Sequence, residues 1–269
     1  MKADVLTITG IKKSEVELPI YFENHVRHDL IRRAFLAWQS EQRQSYGANW
    51  RAGKESSASG KISHQRRAWK GHYGKGISRI PRKIITRRGS SFNWIGAFVS
   101  GTRGGREAHP PKAEKDWTKK INKKENKKAM YAAIAATANS DLIKQRYENA
   151  EKADLLKFPI IVEDKISEIK KTNEIRSIIE KLINGLVEIA FSRKSMRAGR
   201  GKMRSRPYKR QKGLLLVVAS DKMKSRAAEN LGIEVVSVSE LNIGHVAPGG
   251  NAGRLTIYTE NAIKELSKK

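Results

Sequence analysis

The sequence predicts an α/β protein: a three-layer body with a mainly parallel sheet flanked by helices, plus a long basic extended loop. Two observations carry this prediction. In the second half of the chain, short runs that are apolar on both faces alternate with amphipathic helical segments, a pattern typical of a parallel sheet covered on two sides. In the first half, a long stretch rich in cations and glycines keeps neither the helical nor the strand period, which indicates an extension outside the core.

The first elements are short. Residues 5–8 and 16–18 are predicted to form two strands around a turn at residues 10–13. Asp29 is predicted to cap a helix whose apolar positions recur with helical spacing and which ends near Gln44. Trp38, on that apolar face, is expected in the core.

The helical pattern resumes at Asn122, which has the spacing of a capping box with Glu125. Met130, on the apolar face that follows, is expected to fill the core. The remaining predicted elements are a helix at 141–149, a strand at 158–162, a helix at 173–191, a strand at 214–219, a helix at 222–230, strands at 234–238 and 255–258, and a terminal helix from Glu260. We therefore expect a body made of residues 1–44 and 120–269, with residues 45–119 as the loop.

The positive charge is concentrated in two inserts. Residues 43–112 hold sixteen Lys and Arg against two acids, Glu55 and Glu107, and residues 193–212 hold ten cations and no acid. These surpluses of fourteen and ten account for twenty-four of the net charge of +28. The rest of the chain carries only about +4, so basicity belongs to the inserts.

A polyanionic partner follows from this charge, and nucleic acid is the favoured one because dense phosphate charge rewards many cationic contacts. Aromatic residues are interleaved with the cations of the loop, which argues against a solvated tail. Cations, rings and glycines together suit RNA: cations meet phosphates, rings stack on exposed bases, and glycines allow close backbone approach. We therefore expect a loop that is ordered on RNA.

Other classes are weaker. An anionic membrane surface is disfavoured because no apolar run is long enough to span a bilayer and the inserts are broken by glycine. The absence of cysteine excludes disulfides and thiolate metal sites. No secretory signal is recognisable at the N-terminus, so the cytosol is the expected compartment.

An enzyme stays open only as an alternative. The polar residues that follow the predicted strands, Glu163, Asp164, Ser220, Asp221, Ser239 and Glu240, suit helix caps better than an active site. A nucleic-acid-processing enzyme would have to use Asp164 and Asp221. The glycine-rich segments at 74–76 and 101–105 lack the spacing of a phosphate loop, and His25 and His28 have no third metal ligand nearby. No metal and no cofactor is therefore expected.

Several motifs, in order, resemble one family. Residues 109–116 (HPPKAEKD) and 121–125 (INKKE) are similar to a signature of the large-subunit ribosomal protein L4 family, in its archaeal and eukaryotic branch. Further matching segments are 29–34, 46–48 with 51–53, 79–82, 104–106 and 197–204. The resemblance covers essentially the whole chain.

This resemblance implies a structural, non-enzymatic constituent of the large ribosomal subunit. Its partners would be large-subunit ribosomal RNA and neighbouring ribosomal proteins, with no membrane and no small-molecule substrate. It also implies a loop that threads through ribosomal RNA toward the peptide exit tunnel, with its tip at 71–82. Lys75 and Arg79 would then lie near the tunnel wall. A free RNA-binding regulator of translation is the alternative.

The residues expected to bind RNA are mainly the cations of both inserts. They are Arg43, Arg51, Lys54, Arg66, Arg67, Trp69, Lys70, Lys75, Arg79, Arg82, Lys83, Arg87, Arg88, Arg103, Arg106, His109, Lys112, Arg197, Arg200, Lys202, Arg204, Arg206, Lys209 and Arg210. Trp50, Trp69 and Tyr73 are expected to stack on bases.

Overall fold

The computed structural model describes residues 1–58, 61–68, 71–147, 150, 156–191, 194–219 and 226–268. The chain divides into two compact units. The body unit is Met1–Gln42 with Thr118–Lys269, and the loop unit is Arg43–Trp117.

The body is built on a six-stranded sheet. Its strands are β1 (Lys2–Leu6), β2 (Lys12–Glu17), β5 (Ile160–Val162), β8 (Leu215–Val218), β9 (Glu234–Ser237) and β10 (Thr256–Thr259). They lie in the order β2-β1-β5-β10-β8-β9. Only β2 runs antiparallel to its neighbour; the other four pairings are parallel. A mainly parallel sheet of this kind is typical of α/β folds, so the predicted fold class is confirmed.

Helices cover both faces of that sheet. The helices of the body are α1 (His28–Glu41), α2 (Lys123–Ala136), α3 (Ser140–Arg146), α4 (Thr172–Leu182), α5 (Val187–Ala190), α6 (Ala227–Asn230), α7 (Ile243–Val246) and α8 (Glu260–Ser267). Helices α1, α2, α7 and α8 pack in one apolar core, and α3 to α6 pack in the other.

The strands show why two cores form. Leu215 and Val217 lie in the first core, whereas Leu216 and Val218 lie in the second. Because successive side chains of a strand point to opposite faces, a strand buried on both sides is apolar at every position. The continuous apolar runs in the sequence therefore correspond to a three-layer body.

Two predicted helix starts differ in their capping. Helix α1 begins at His28, and Arg27 rather than Asp29 occupies the N-cap position. The prediction that Asp29 caps this helix is wrong because its carboxylate accepts from Arg27 Nε at 2.9 Å and Nη2 at 2.6 Å. Asn122 does occupy the N-cap of α2, but its side chain makes no cap hydrogen bond, and Glu125 pairs with Arg33 at 3.3 Å.

The predicted long helix at 173–191 is wrong in its extent. Helix α4 ends at Leu182, and the separate short helix α5 starts at Val187. Gly185 between them has φ +93°, a left-handed conformation that ends helices and favours glycine. The apolar spacing continues across this break because both helices contribute to the same core.

Two antiparallel hairpins lie in the basic inserts, where no strand was expected. In the loop unit, β3 (Arg82–Arg88) pairs with β4 (Ser91–Gly96). In the body, β6 (Lys194–Met196) pairs with β7 (Tyr208–Arg210). Their cations mask the alternation of apolar residues that marks a half-buried strand. The predicted helices at 141–149 and 222–230 extend in part outside the described residues.

Candidate nucleic-acid interface

Most of the side chains predicted to bind RNA are on the surface. The exposed ones are Arg43, Arg51, Lys54, Arg66, Arg67, Lys75, Arg79, Arg87, Arg88, Arg103, His109, Lys112, Arg200, Lys202, Arg204, Arg206, Lys209 and Arg210. The half-buried ones are Arg82, Lys83, Arg106 and Arg197. Trp69 and Lys70 lie outside the described residues. Exposed cationic tips on an anchored backbone are the form in which phosphates are contacted.

The hairpin β3–β4 presents four of these cations along a two-stranded ribbon. Arg82 and Lys83 lie at its open end, and Arg87 and Arg88 lie beside the turn. At about 3.3 Å per residue, the two pairs are separated by roughly 16 Å along the ribbon. The strands thus fix a spacing that a coil would leave variable.

Trp94 of β4 is the centre of a small aromatic cluster. His72 lies 4.9 Å from it and Phe92 lies 5.2 Å from it, ring centroid to ring centroid. The Arg82 guanidinium lies 5.3 Å from the same ring. His72 is only 6% exposed, and neither of its ring nitrogens has a hydrogen-bond partner among the described residues. Trp94 therefore organises the base of the ribbon.

Tyr73 supports one of the two predicted tunnel-proximal residues. Its hydroxyl lies 2.9 Å from His64 Nδ1, and the Arg79 guanidinium lies 4.5 Å from its ring centroid. A cation over a ring is attracted by the electrons of the ring face. Arg79 is thus supported by a protein ring, whereas Lys75 is exposed between Gly74 and Gly76.

The two ends of the loop unit meet in a stack of rings and cations. Tyr46 and Trp117 are stacked with ring centroids 5.8 Å apart. The Arg43 guanidinium lies 3.8 Å from the Trp117 ring, and Lys115 Nζ lies 4.4 Å from it. Neither Lys115 nor Trp117 was among the residues singled out in the sequence, although an aromatic residue beside Lys and Asp in a basic segment was the available signal.

The body hairpin β6–β7 carries the second group of cations. The Arg197 backbone N–H donates to the Pro207 carbonyl at 2.7 Å, and its Nη2 donates to the Tyr208 carbonyl at 3.3 Å. Arg197 therefore ties the two strands together just beyond their last cross-strand pair. Its half-buried position reflects this structural role, which the sequence alone does not distinguish from phosphate contact.

A buried ion pair anchors the segment that follows this hairpin. Arg254 is 1% exposed and donates to the carbonyls of Gly213 and Leu214 at 2.9 and 3.4 Å. Its Nη1 lies 2.6 Å from Glu234 Oε2, and Lys212 Nζ lies 2.7 Å from Glu234 Oε1. The chain leaving β7 is thereby fixed to the sheet. The sequence contained no signal for this role of Arg254.

Charge interactions decide the ionisation of that pair. Burial opposes charging of Glu234, but hydrogen bonds from His245 and Lys212 and the charge of Arg254 outweigh it, so the pKa of Glu234 is lowered. Burial lowers the pKa of Arg254, against the opposing attraction of Glu234. We infer an ionised pair, because a buried charge without its partner would be far more costly.

The comparisons with known proteins decide the family. A model described as "Ribosomal protein L4/L1 family" matches residues 16–269. The chain belongs to this family. It is 40% identical over 272 residues to large ribosomal subunit protein uL4 of Nanoarchaeum equitans, covering 100% of this chain and 98% of the relative. It is 42% identical over 268 residues to the protein of the same name from Methanoregula boonei, covering 99% of each. The resemblance seen in the motifs is confirmed.

In this L4/L1 family member, the carboxylates considered for catalysis have structural partners. Glu163 accepts from the Ile8 backbone N–H at 3.2 Å, which lowers the pKa of Glu163 although burial opposes it. Asp164 Oδ1 accepts from the Asn261 backbone N–H at 3.2 Å, in the first turn of α8. Asp221, the other residue of the enzyme alternative, lies outside the described residues.

The described residues of this family member offer neither a metal site nor a membrane-spanning helix. No group of three His, Asp or Glu side chains suited to a metal ion occurs in the part of the chain that the structure describes. Over the same residues, no helix combines the length and apolar character needed to cross a membrane.

Proposed function

We propose that the protein is a structural constituent of the large ribosomal subunit. It binds large-subunit ribosomal RNA through the basic loop unit and the body hairpin, contacts neighbouring ribosomal proteins, and extends its loop tip to the peptide exit tunnel. It acts by binding and carries out no catalysis. Relatives that match along their whole length are named as proteins of that subunit, which supports the assembly assigned here.

The observation that carries the proposal is the concentration of exposed cations on ordered supports. The cations on β3–β4 are spaced by a ribbon, and Arg43, Arg79 and Arg82 are backed by aromatic rings. Holding cationic groups before RNA arrives reduces the side-chain ordering that binding would otherwise require. Each phosphate contact also releases counterions.

The acids of the loop unit are too few to offset this charge. Glu55 accepts a hydrogen bond from Asn49 Nδ2 at 3.4 Å, and Glu107 is the only other acid between residues 43 and 112. The loop unit therefore keeps a strongly positive surface along its whole length. Such a surface can contact phosphates of several RNA helices that pack around it.

Neutralising two cations of the ribbon tests the proposal. In Arg87→Gln/Arg88→Gln, we expect the slope of log affinity against log salt to become shallower by about 1.4 to 1.8, since each lost phosphate contact contributes roughly 0.7 to 0.9. The measurement is filter binding of the full chain to large-subunit ribosomal RNA across a salt series. Lys170→Gln/Lys181→Gln, two exposed cations of the body outside the inserts, is the matched control.

An unchanged slope in the ribbon variant would contradict a role for this ribbon in RNA binding. Co-sedimentation with large subunits in high salt then separates the two remaining readings of an RNA-binding chain. A stable constituent stays with the subunit, whereas a regulator that binds messenger RNA only loosely is released.

A further inference from the structure

We propose that the body ribbon β6–β7 holds one unpaired base of a bound RNA, with Tyr208 and Met196 as the platform on which the base stacks. This inference rests on the proposed RNA binding and adds a site and a ligand class to it. The ligand is a single-stranded or bulged RNA segment, and the residues that meet its base are apolar ones outside the predicted RNA-binding set.

The strand register places the platform. Met196 lies directly opposite Tyr208, and Lys194 lies directly opposite Arg210. Opposed residues share one face of a ribbon, and residues two apart along a strand share it too. One face therefore carries an apolar pair with a cation pair about 7 Å further along. Lys209 and Ser195 form the pair on the opposite face.

Exposure shows that the platform is open to a ligand. Tyr208 is 56% exposed and Met196 is 68% exposed. Met203, in the turn that closes the hairpin, is 88% exposed. Met196 and Tyr208 therefore form an exposed apolar pair on one face of the ribbon, and adjacent exposed apolar side chains are a feature of interaction sites. A phenol ring and a thioether are suited to the flat face of a base.

The surrounding charge selects RNA as the ligand. Residues 194–212 contain nine Lys and Arg and no acid. Phosphates on either side of a stacked base would meet these cations, as in proteins that bind single strands through a basic groove and stacking rings. A protein partner would have to bury many lysines and arginines, and lysine is depleted in protein interfaces.

The ribbon is held in place for this contact. Arg197 donates to the Tyr208 carbonyl, and the Tyr147 hydroxyl donates to the Lys212 carbonyl at 3.3 Å. Arg254 and Glu234 fix the next residues, as described above. The platform is thus preorganised on the body, which lowers the ordering cost of binding.

The test uses the full chain and two synthetic RNA hairpins. One hairpin carries a single bulged 2-aminopurine, and the other has the same sequence fully paired. We expect the wild type to quench the bulged base and to prefer the bulged hairpin. Tyr208→Ala should lose the quenching, and its affinity should fall about 5- to 140-fold for the bulged hairpin only, the range expected for one stacked base. Tyr208→Phe should behave as the wild type.

Two further variants control for charge and folding. Lys209→Gln, on the opposite face, should make the salt dependence shallower by roughly 0.7 to 0.9 but keep the quenching. Tyr208→Leu keeps apolar bulk without a ring and should lose the quenching while the unfolding temperature stays at the wild-type value. A 4-thiouridine at the bulge should crosslink to the peptide that contains Tyr208.

The outcomes are distinct. If the wild type binds neither hairpin at any salt concentration, the proposed RNA binding itself fails. If it binds but Tyr208→Ala retains quenching and affinity, or loses affinity equally for both hairpins, the stacking site is overturned. The same holds if Tyr208→Ala leaves RNA binding unchanged but lowers incorporation into large subunits, which would assign the face to a protein partner.

Discussion

At the scale of single residues, the least expected feature is a buried arginine that serves the backbone. Arg254 donates to three carbonyls, those of Gly213, Leu214 and His245, and pairs with Glu234. The Gly213 and Leu214 carbonyls belong to the segment that leads from the basic hairpin into β8, and the His245 carbonyl belongs to α7, so one side chain joins these two segments. A neutral side chain with one or two donors could not replace this planar group with its five donors.

Replacing Glu234 by Gln should destabilise the protein by about 2 to 4 kcal/mol at pH 7, because the buried Arg254 then lacks its counter-charge. The pKa of Glu234 is lowered in the folded state from 4.5, so its contribution is present above about pH 4.5 and is lost as pH falls toward the lower folded value. Urea unfolding of both proteins between pH 7 and pH 4 measures this. The difference between them should stay constant above about pH 5 and shrink below it.

Glu240→Gln is the matched control for this prediction, since Glu240 is exposed and close in sequence. Its free energy of unfolding should stay within about 0.5 kcal/mol of the wild type. A Glu234→Gln protein as stable as the control at pH 7 would show that the pair does not carry the stability assigned to it.

At the scale of elements, the two end segments of the loop unit, residues 43–48 and 111–117, are in contact at Gly47. A Cβ on Gly47 would lie 2.5 Å from the Ala113 backbone nitrogen. Beside it, the Ala48 backbone N–H donates to the Pro111 carbonyl at 3.2 Å. The stack of Arg43, Tyr46 and Trp117 closes the same end. The two end segments are therefore joined by a backbone hydrogen bond as well as by stacked aromatic rings.

Gly47→Ala should open this contact. Overpacking of this kind costs about 1 to 3 kcal/mol, and about 1.4 kcal/mol corresponds to tenfold, so we expect the Ala48 amide to exchange hydrogen about 5- to 140-fold faster. Hydrogen exchange of the free protein, read at residues 46–50, measures it. Gly101→Ala is the control because a Cβ there meets nothing within 4 Å. Equal exchange in the two variants would contradict the close approach.

Elements differ in how far the sequence could predict them. The strands of the sheet follow from uninterrupted apolar runs such as 214–219, because burial on both faces leaves no polar position. The ribbons β3–β4 and β6–β7 could not be found in this way, because exposed cations such as Arg87, Arg88 and Lys209 occupy strand positions that an apolar run would need. The strands of each ribbon are close in sequence, with only residues 89–90 between β3 and β4, but strands without an alternating apolar face give no signal of their pairing.

At the scale of the whole molecule, charge and core are separated along the chain. Residues outside the two inserts carry only about +4 of the +28, and both apolar cores lie in the body. This separation is why charge alone located the inserts in the sequence. It could not distinguish Arg197, which supports the hairpin, from neighbours such as Arg200, which are exposed. That distinction depends on packing and required the structure.

The proposed place of the loop tip gives a prediction for the assembled subunit. Lys75 is exposed between Gly74 and Gly76, whose φ angles of +70° and +64° make a tight turn with no bulky flanks. Such a narrow tip suits a confined passage lined by RNA. A photoreactive benzoylphenylalanine in place of Lys75 or Arg79 should therefore crosslink to radiolabelled nascent peptide in stalled ribosomes.

The same probe in place of Lys112, an exposed residue of the loop unit remote in sequence from the tip, is the matched control and should give adducts with RNA only. If the probes at 75 and 79 also reach RNA alone, the tip does not line the path of the peptide. RNA binding by the ribbons would stand in that case, because it depends on phosphate contacts at Arg87 and Arg88 and not on where the tip ends.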